Sequence, residues 1–459
     1  MASTTSPDNL SRVFKAYDVR GLVGEQLDES LARATGAAYV EVLGVDAMVI
    51  GYDMRPSSPS LAGAFADGAT SAGADVTMIG LASTDQLYFA SGHLNLPGAM
   101  FTASHNPAAY NGIKMCRSLA QPVGAESGLA EIRDRVAAGA APEAPGSRTG
   151  SISSHDVLQA YAAHLLTLAP VTGRRLKVVV DAGNGMAGHT APAVFGRLAD
   201  QVEMVPLYFE LDGTFPHHEA NPIEPENLVD LQKAVLAEGA DIGLAFDGDA
   251  DRCFLVDERG ELVSPSTLTA LIASRELARE PGSTVIHNLI TSRAVPEIVT
   301  ELGGVPVRTR VGHSYIKATM AETDAIFGGE HSGHFYFRDF WRADSGMLAA
   351  LHAMAALAES DRPLSELLAA YARYPLSGEI NSTVADQDAV LAALEATYGG
   401  LEGVTIDRLD GLSVSHDDWA FNVRASNTEP LLRLNAEGKD ESTMTRVRDE
   451  VLAIIRSER

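Results

Sequence analysis

The chain has 459 residues, and its 61 aspartates and glutamates against 35 lysines and arginines give a formal net charge of −26 at pH 7. Such an excess of negative charge argues against nucleic acid and against an anionic membrane surface as general partners. Hydrophobic residues make up 46% and charged residues 21% of the chain, which indicates a globular protein long enough for three or four domains.

The cysteine content and the N-terminal residues bear on the cellular compartment. Cys116 and Cys253 are the only cysteines, too few for a disulfide framework in a chain of this size. Residues 1–14 are polar and lack the apolar segment of a signal peptide. No run approaches the roughly 18 apolar residues of a membrane-spanning helix. We therefore expect a cytoplasmic protein with no membrane partner.

One order of elements occurs three times along the chain: an apolar strand rich in β-branched residues, a polar loop and a helix. The predicted strands are 47–50, 177–180 and 284–286, and the predicted helices are 59–72, 187–198 and 294–302. Each repeat ends in a further strand that leads into a polar loop, at 102–107, 247–252 and 328–334. Strands alternating with helices predict largely parallel α/β layers, in which ligands bind at the carboxyl ends of the strands.

Composition and pattern suggest three domain borders. Residues 137–150 are rich in Ala, Gly and Pro, as expected of a linker, and a second border falls near 258–264. The last stretch differs, with alternating strand-like pieces and a helical pattern over 441–456. The prediction is an α/β protein with three similar mixed α/β domains (1–150, 151–258 and 259–373) and a smaller α+β domain (374–459) around one central cleft.

The loop Asp247-Gly248-Asp249-Ala250-Asp251-Arg252 places three carboxylates at alternate positions between two apolar runs. At this density the carboxylates would repel and raise one another's pKa, which favours a divalent cation held by oxygen over a solvated acidic turn. An EF-hand calcium site is disfavoured, because its sixth position needs glycine and here is Arg252, and because the flanks resemble strands rather than helices.

Ser104 follows an apolar strand in the loop T-A-S-H-N-P and precedes Pro107, so a turn is predicted to present it. The neighbouring His105 would suggest a hydrolase, but adjacent residues rarely reach the geometry of a nucleophile and its base, and the G-x-S-x-G elbow is absent. From this loop alone, a structural turn held by serine and asparagine hydrogen bonds remains the alternative.

Two later loops have groups suited to a phosphosugar. Arg424 and the hydroxyl and amide side chains that follow it could bind a phosphate, although polar turns often have this composition. Loop 328–334 contains Glu330, Ser332 and two histidines, which could contact sugar hydroxyls or form an ordinary glycine-rich turn. Polar and basic residues that could line a cationic cleft for an anionic ligand, or else lie on surface turns, are Tyr17, Asp18, Arg20, Lys114 and Arg252.

The motifs T-A-S-H-N-P, D-G-D-A-D-R, G-E-H-S-G-H and R-A-S-N-T-E-P occur in the order and approximate spacing of the α-D-phosphohexomutase superfamily. This resemblance covers essentially the whole chain, and four ordered motifs are highly specific. Within the superfamily the chain is most similar to the bacterial phosphomannomutase/phosphoglucomutase group, because Asn427 stands where the mutases of amino sugars usually have glycine.

The resemblance implies roles for individual residues. Ser104 would be the phosphoserine, and Asp247, Asp249 and Asp251 would hold Mg²⁺ with an oxygen on that serine. The implied catalytic residues are Ser104, Arg20, Lys114, Arg252 and His334, of which Lys114 and His334 are the candidates for acid–base work. The implied substrate-binding residues are Tyr17, His105, His313, Glu330, Ser332, Arg424, Ser426, Asn427 and Thr428. In this set, Glu330 and Ser332 would bind the sugar 3- and 4-hydroxyls, and the residues from Arg424 onward would hold the non-reacting phosphate.

The chain departs from the family pattern at one position. Some relatives place a lysine in the loop after the first strand of the third domain, where this chain reads N-L-I-T-S-R over 288–293. Arg293 is a possible substitute for that lysine.

The implied reaction interconverts hexose 6-phosphate and hexose 1-phosphate, with the mannose phosphates as expected substrates. Phosphorylated Ser104 would form a hexose 1,6-bisphosphate, which is both intermediate and activator, and would recover a phosphoryl group from it. Alternatives are a phosphoglucomutase, a phosphoglucosamine mutase, a metal-dependent sugar-phosphate phosphatase or a non-catalytic phosphosugar sensor. The sequence is compatible with a monomer or a homodimer.

Overall fold

The computed structural model describes residues 4–139, 148–425 and 431–457, apart from the side chains of His313 and Ser314. The described residues fall into two compact units, one within Met1–Val263 and Ser332–Leu367, the other within Ser264–His331 and Leu368–Arg459. None of the helices in these ranges is long and apolar enough to cross a membrane.

The first unit begins with a seven-stranded sheet. Its elements are α1 (Pro7–Val13), β1 (Val19–Leu22), α2 (Glu29–Leu43), β2 (Ala47–Tyr52), α3 (Ser58–Ser71), β3 (Asp75–Leu81), α4 (Thr84–Leu94), β4 (Gly98–Phe101), β5 (Tyr110–Arg117), β6 (Gln121–Pro122), α5 (Leu129–Ala137) and β7 (Ile152–Ser154). The strand order is β1-β5-β4-β2-β3-β7, with β6 paired to β5. β2 runs parallel to β3 and β4, whereas β5 returns antiparallel to β4. The loop between β4 and β5 is therefore at the carboxyl end of a buried strand, and it contains Ser104.

The second sheet also lies in the first unit and has five strands. Its elements are α6 (Leu158–Leu168), β8 (Leu176–Asp181), α7 (Ala187–Phe195), β9 (Val202–Leu207), α8 (Val229–Glu238), β10 (Ile242–Phe246), β11 (Cys253–Asp257) and β12 (Leu262–Val263). The strand order is β12-β11-β10-β8-β9, parallel from β9 through β8 to β10 and antiparallel from there on. Every residue of β10 and β11 is buried, as the two apolar runs around the aspartate loop predict.

The chain then enters the second unit and returns to the first. In the second unit lie α9 (Pro265–Arg279), β13 (Thr284–Asn288), α10 (Ala294–Glu301), β14 (Val305–Thr309), α11 (His313–Thr323) and β15 (Phe327–Gly329), with β13 parallel to β14 and β15. The returning segment contains β16 (Phe335–Phe337), β17 (Ala343–Asp344), α12 (Gly346–Ala358) and α13 (Leu364–Leu368). β16 and β17 form an antiparallel hairpin in the first unit.

The last part of the second unit is an antiparallel sheet of five strands. Its elements are β18 (Leu376–Thr383), α14 (Gln387–Tyr398), β19 (Thr405–Asp407), β20 (Leu412–His416), β21 (Trp419–Ala425), β22 (Leu431–Gly438) and α15 (Glu441–Ile455). The strand order is β18-β22-β21-β20-β19. α15 matches the predicted C-terminal helix, and its buried residues include Met444, Val447 and Val451.

Glycines set how closely α2 and α3 approach each other in the first unit. A Cβ on Gly36 of α2 would lie 2.2 Å from the carbonyl oxygen of Phe65, and one on Gly68 of α3 would lie 2.0 Å from that of Arg33. Both distances are far below van der Waals contact with rigid backbone atoms, so larger side chains would separate the helices. Gly63, also on α3, has no atom within 4 Å of its added Cβ.

We expect opposite effects from the same substitution at two positions of α3. Gly68→Ala forces backbone atoms apart and should lower the free energy of unfolding by about 3 kcal/mol. Gly63→Ala has room for the methyl group and should raise it by roughly 0.5–1 kcal/mol through helix propensity. Melting temperatures of the two variants and the wild type measure this; equal temperatures for Gly68→Ala and wild type would contradict the close packing.

Candidate active site

The aspartate loop 247–252 connects β10 to β11, which pair antiparallel up to Phe246 and Cys253. Carboxylate oxygens of Asp247, Asp249 and Asp251 all lie within 4.8 Å of one another. Each of the three residues is at most 1% exposed. The structure thus brings the three predicted carboxylates together at the carboxyl end of a buried strand.

The hydrogen-bonding state of these carboxylates fits a cation site. Asp249 Oδ1 and Asp251 Oδ1 are buried and accept no hydrogen bond, although a buried anionic oxygen without a partner is strongly unfavourable. The Oδ2 atoms of the same two residues accept hydrogen bonds from Lys114 Nζ at 2.7 and 2.6 Å. A set of three carboxylates with unsatisfied oxygens is the donor chemistry that a hard divalent cation such as Mg²⁺ prefers.

The three carboxylates do not share one electrostatic environment. Burial raises the pKa of Asp247 to about 7, and the neighbouring Asp249 and Asp251 add to this while Arg252 opposes it. Burial also acts on Asp249, but the Lys114 ammonium and a hydrogen bond from Thr84 hold its pKa below the usual range. The negative charge of the loop is therefore concentrated beside Lys114.

Ser104 reaches the aspartate loop from the neighbouring sheet. Its Oγ donates a hydrogen bond to Asp247 Oδ2 at 2.6 Å and lies 3.2 Å from His105 Nδ1. The residue is 5% exposed and has φ of +48°, a left-handed conformation that is uncommon for a non-glycine residue. A Cβ on Gly248 would lie 2.4 Å from the Ser104 carbonyl oxygen, so this approach of the two loops requires glycine. The predicted nucleophile Ser104 is thus in direct contact with Asp247, a predicted cation ligand 143 residues away in the sequence.

Two of the predicted arginines contact the serine and aspartate loops. Arg252 Nε lies 2.9 Å from Asp247 Oδ2, and its Nη2 is buried without a hydrogen-bond partner. Arg20 Nη1 donates to the Ala103 carbonyl at 2.8 Å and also contacts Asn106. Arg252 Nε and Ser104 Oγ bond the same oxygen of Asp247, and a guanidinium donor without a partner among the described residues can donate to an anionic oxygen. Arg20 bonds the loop backbone and the side chains of Asn106 and Asp18.

The two predicted histidines of the first unit, His105 and His334, differ in their surroundings. Burial holds the pKa of His105 well below its usual range, and Arg252 and Arg20 add to the effect, so His105 is neutral near pH 7. His334 forms a backbone bridge with Arg252. Its Nδ1 lies 3.0 Å from Asp344 Oδ2 and 3.7 Å from Asp251 Oδ1. The nearer carboxylate fixes the ring orientation of His334.

Several residues near the site were missed by the sequence interpretation. Thr84 Oγ1 donates to Asp249 Oδ2 at 2.5 Å, Asp344 orients His334, and Arg55 bonds the backbone of the serine loop. The predicted residue Tyr17 is half-buried in the bend before β1. Arg55 lies in the polar loop that follows the first strand of the first repeat, and this position is a sequence signal that could have identified it. Thr84 and Asp344 belong to none of the sequence motifs.

The second unit contains Glu330, directly after β15. It is 2% exposed, and its Oε1 accepts hydrogen bonds from Asn288 Nδ2 at 3.3 Å and Gly312 N at 3.1 Å. A Cβ on Gly329 would lie 2.5 Å from the Thr269 side chain, so glycine is required next to this carboxylate. Ser332, which belongs to the first unit, is half-buried.

Arg424 is the penultimate residue of β21, and Glu379 of β18 bonds it across the intervening strand β22. Arg424 Nη2 donates to Glu379 Oε2 at 3.0 Å, while Arg433 Nη1 lies 3.4 Å from the other oxygen of the same carboxylate. Arg424 Nε is buried and has no hydrogen-bond partner among the described residues, so it could donate to an anion. Ser426, Asn427 and Thr428, and the side chain of His313 at the start of α11, lie outside the described residues.

Arg293, the suggested substitute for a family lysine, contacts the last sheet. Its Nη1 donates to the carbonyls of His416 and Asp417 at 3.1 and 2.9 Å, and its guanidinium lies 4.1 Å from the ring centre of Tyr374. Its Nε is 3.5 Å from Glu437. Together with His331 and Glu437 it lines a cavity of about 270 Å³ in the second unit. These contacts give Arg293 a structural role in the second unit.

Comparison with known proteins agrees with the motifs. Four models of the phosphoglucomutase/phosphomannomutase family match: α/β/α domain I over residues 11–143, domain II over 159–260, domain III over 264–374 and the C-terminal domain over 379–454. The chain therefore belongs to the phosphoglucomutase/phosphomannomutase family. It is a hexose phosphate mutase, an enzyme of the isomerase class.

Individual relatives match over nearly their full length. The chain is 42% identical to a phosphomannomutase of Salmonella montevideo, over 97% of this chain and 99% of that protein. It is 39% identical to a phosphomannomutase of Escherichia coli K12, with the same coverage. Among solved structures, a phosphoglucomutase/phosphomannomutase family protein of Burkholderia thailandensis matches with a TM-score of 0.87 and 33% identity, over 100% of this chain and 98% of that one. The α/β fold predicted from the sequence is confirmed.

Proposed function

We propose that this enzyme is a phosphomannomutase in which Ser104 carries the transferred phosphoryl group between mannose 6-phosphate and mannose 1-phosphate. The observation that carries the proposal is the 2.6 Å hydrogen bond from Ser104 Oγ to Asp247, at the edge of a buried cluster of three carboxylates. A hydroxyl in this position can hold a phosphoryl group whose oxygens complete the cation site. The identity of about 40% to phosphomannomutases supports mannose phosphates as substrates.

Charge balance defines the role of the cationic residues. Asp247, Asp249 and Asp251 would hold Mg²⁺ with an oxygen of the phosphorylated serine, where the ion supplies positive charge beside the transferring group. Arg252 Nη2, buried without a hydrogen-bond partner, would donate to the equatorial oxygens of the phosphoryl group. Phosphoryl transfer depends mainly on such positioning and on stabilisation of charge.

Proton transfer is assigned to His334 and electrostatic stabilisation to Lys114. Lys114 bonds two carboxylates, and although burial opposes it, Asp249 and Asp251 raise the pKa of Lys114 well above its usual range. It would remain an ammonium and a poor base. His334 directs Nδ1 to Asp344, so its Nε2 would exchange the proton of the attacking sugar hydroxyl.

The remaining assignments follow the family resemblance. Glu330 and Ser332 would accept hydrogen bonds from the sugar 3- and 4-hydroxyls, and Tyr17, His105 and His313 would complete the substrate contacts. Arg424, Ser426, Asn427 and Thr428 would bind the phosphate that does not react. Phosphorylated Ser104 would transfer its phosphoryl group to the hexose monophosphate, leaving free Ser104 and a hexose 1,6-bisphosphate. The bisphosphate would then return one of its two phosphoryl groups to Ser104 and leave as a monophosphate, so added bisphosphate would act as activator by phosphorylating free Ser104.

Substrate preference tests this proposal. We expect kcat/KM to be highest for mannose 1-phosphate, with glucose 1-phosphate also converted, because no assigned contact distinguishes the 2-hydroxyl. Glucosamine 1-phosphate should have a lower kcat/KM than mannose 1-phosphate, because the relatives that the chain matches at about 40% identity are phosphomannomutases. Preference for glucosamine 1-phosphate would contradict the assignment to mannose phosphates.

A further inference from the structure

Arg55 lies in the loop after β2 and is 1% exposed, one of the largest fully buried side chains in the described part of the molecule. We propose that Arg55 is a positioning residue that holds the Ser104 loop in its reactive conformation. This inference rests on the proposed function only in taking Ser104 as the reacting residue.

The guanidinium of Arg55 bonds four backbone carbonyls, three in the loop between β4 and β5 and one in the first residue of β5. Its Nη2 donates to the carbonyls of Ser104 at 2.9 Å and Asn106 at 2.7 Å. Its Nη1 donates to those of Pro107 and Tyr110, both at 3.0 Å. A planar guanidinium presents several donors in a rigid fork, so one side chain fixes the orientation of four peptide groups. A lysine has no such geometry.

The Ser104 loop needs this support. Ser104 has φ of +48°, and a left-handed conformation is strained for an L-residue other than glycine. Such strain persists only when surrounding contacts determine the backbone. The Ser104 carbonyl is held by Arg55 on one side, and Gly248 approaches the same oxygen, so the peptide plane that directs Oγ toward Asp247 cannot rotate.

Groups from two sheets in turn fix Arg55. Asp53 Oδ2 lies 3.2 Å from Arg55 Nε, and Asp53 Oδ1 accepts hydrogen bonds from Arg55 N and from Ser58 Oγ. On the other side, the ring centre of Phe215 lies 5.1 Å from the guanidinium carbon. A Cβ on Gly213 would lie 2.5 Å from Arg55 Cα, so the loop at 213–215 closes over the arginine without space for a larger residue.

Loss of the Arg55 contacts is expected to lower kcat and to leave KM unchanged. Ser104 must present its oxygen in line with a phosphoryl group in both half-reactions, and a displacement of about 1 Å can cost on the order of 100-fold in rate. Among the described residues, the hydrogen-bond, ion-pair and ring partners of the Arg55 side chain are backbone carbonyls between Ser104 and Tyr110, the Asp53 carboxylate and the ring of Phe215. No phosphosugar contact is assigned to these groups, so loss of Arg55 should leave binding of the phosphosugar unchanged. A fall in kcat at constant KM, in a protein whose melting temperature and circular dichroism match those of wild type, distinguishes positioning from a general loss of structure.

Arg55→Lys is the direct test, with mannose 1-phosphate as substrate and glucose 1,6-bisphosphate as activator. Lysine keeps the positive charge beside Asp53 but can bond only one or two of the carbonyls, so kcat should fall about 100-fold with KM within threefold of wild type. Arg174→Lys is the matched control, because Arg174 also bonds a carbonyl and a carboxylate, those of Ser360 and Asp241, and should retain wild-type kcat. A folded Arg55→Lys protein with kcat within threefold of wild type overturns the inference.

Phe215→Leu covers the case in which Arg55→Lys does not fold. This variant keeps the arginine but removes the ring that covers it, and we expect kcat to fall about tenfold at constant KM. Unchanged kcat in Phe215→Leu overturns the inference. Ser104→Ala, assayed in parallel, separates the two claims: activity of that variant contradicts the proposed function, whereas full activity of Phe215→Leu beside an inactive Ser104→Ala contradicts only the role of Arg55.

Discussion

Ser104→Ala is expected to lower mutase turnover by at least about 10⁴-fold, because the reaction loses its covalent carrier and no other hydroxyl replaces it. The fold should be retained, since Asp247 keeps its contact with Arg252 at 2.9 Å. Coupled assay of product formation, with saturating hexose 1,6-bisphosphate, measures the effect. Bisphosphate cannot rescue the variant, because the acceptor oxygen is missing rather than unphosphorylated.

A second serine provides the control for this prediction. Ser118 Oγ donates only to the Asn95 carbonyl, at 3.2 Å, on the surface of the first sheet. Ser118→Ala should therefore have wild-type turnover. Comparable rates for Ser104→Ala and Ser118→Ala would remove Ser104 from the chemistry.

Asp249→Asn is expected to weaken Mg²⁺ binding by at least about 100-fold, because an amide supplies a neutral oxygen and one charge fewer to the cation. Its Oδ1 is one of the two buried oxygens that accept no hydrogen bond, so the change acts directly on a free ligand position. Turnover at a fixed low Mg²⁺ concentration should fall in parallel. Isothermal titration calorimetry measures the affinity without depending on activity.

The control for this substitution is a carboxylate with a purely structural contact. Asp386 caps α14 by accepting a hydrogen bond from Ala389 N at 3.0 Å, and asparagine caps helices equally well. Asp386→Asn should leave both Mg²⁺ affinity and melting temperature unchanged. An Mg²⁺ affinity for Asp249→Asn equal to that of wild type would exclude the aspartate loop as the cation site.

Local sequence patterns predicted the strands and loops of the site, but not the contact between the serine loop and the aspartate loop. The apolar runs around residue 247 became the buried strands β10 and β11, and the 3.6-residue period near the C-terminus became α15. The hydrogen bond between Ser104 and Asp247 joins two loops that follow strands of different sheets. A contact between such distant residues cannot be predicted from the local periodicity of the sequence. Only the order of the four motifs, through the family resemblance, connected the two loops in advance.

Sequence analysis missed Arg55 and Thr84 for the same physical reason. Arg55 and Thr84 are polar side chains in loop or helix-start positions, where solvent exposure is the usual expectation. Their burial depends on the packing of distant segments, such as Gly213 against Arg55. The partners of Arg55 are backbone carbonyls, which every residue has and which leave no mark in the sequence.

Very short strands also could not be predicted from the sequence. β7 has three residues and β12 has two, too few for a period of two to be detected. Both pair with the preceding sheet: β7 at 152–154 just after the predicted linker 137–150, and β12 at 262–263 within the predicted border 258–264. Local composition can indicate a linker. The pairing of a strand of two or three residues depends instead on which backbone hydrogen-bonding groups the neighbouring strand leaves exposed.

The fate of the phosphoryl group on Ser104 tests the central claim most directly. Enzyme labelled at Ser104 with ³²P from a labelled hexose 1,6-bisphosphate would be mixed with unlabelled mannose 1-phosphate and quenched within a single turnover. We predict that the label leaves the Ser104 peptide at the rate of turnover, passes through mannose 1,6-bisphosphate and appears in mannose 6-phosphate, without release of inorganic phosphate. Label that stays on the protein while product accumulates, or that leaves as inorganic phosphate, would contradict the account.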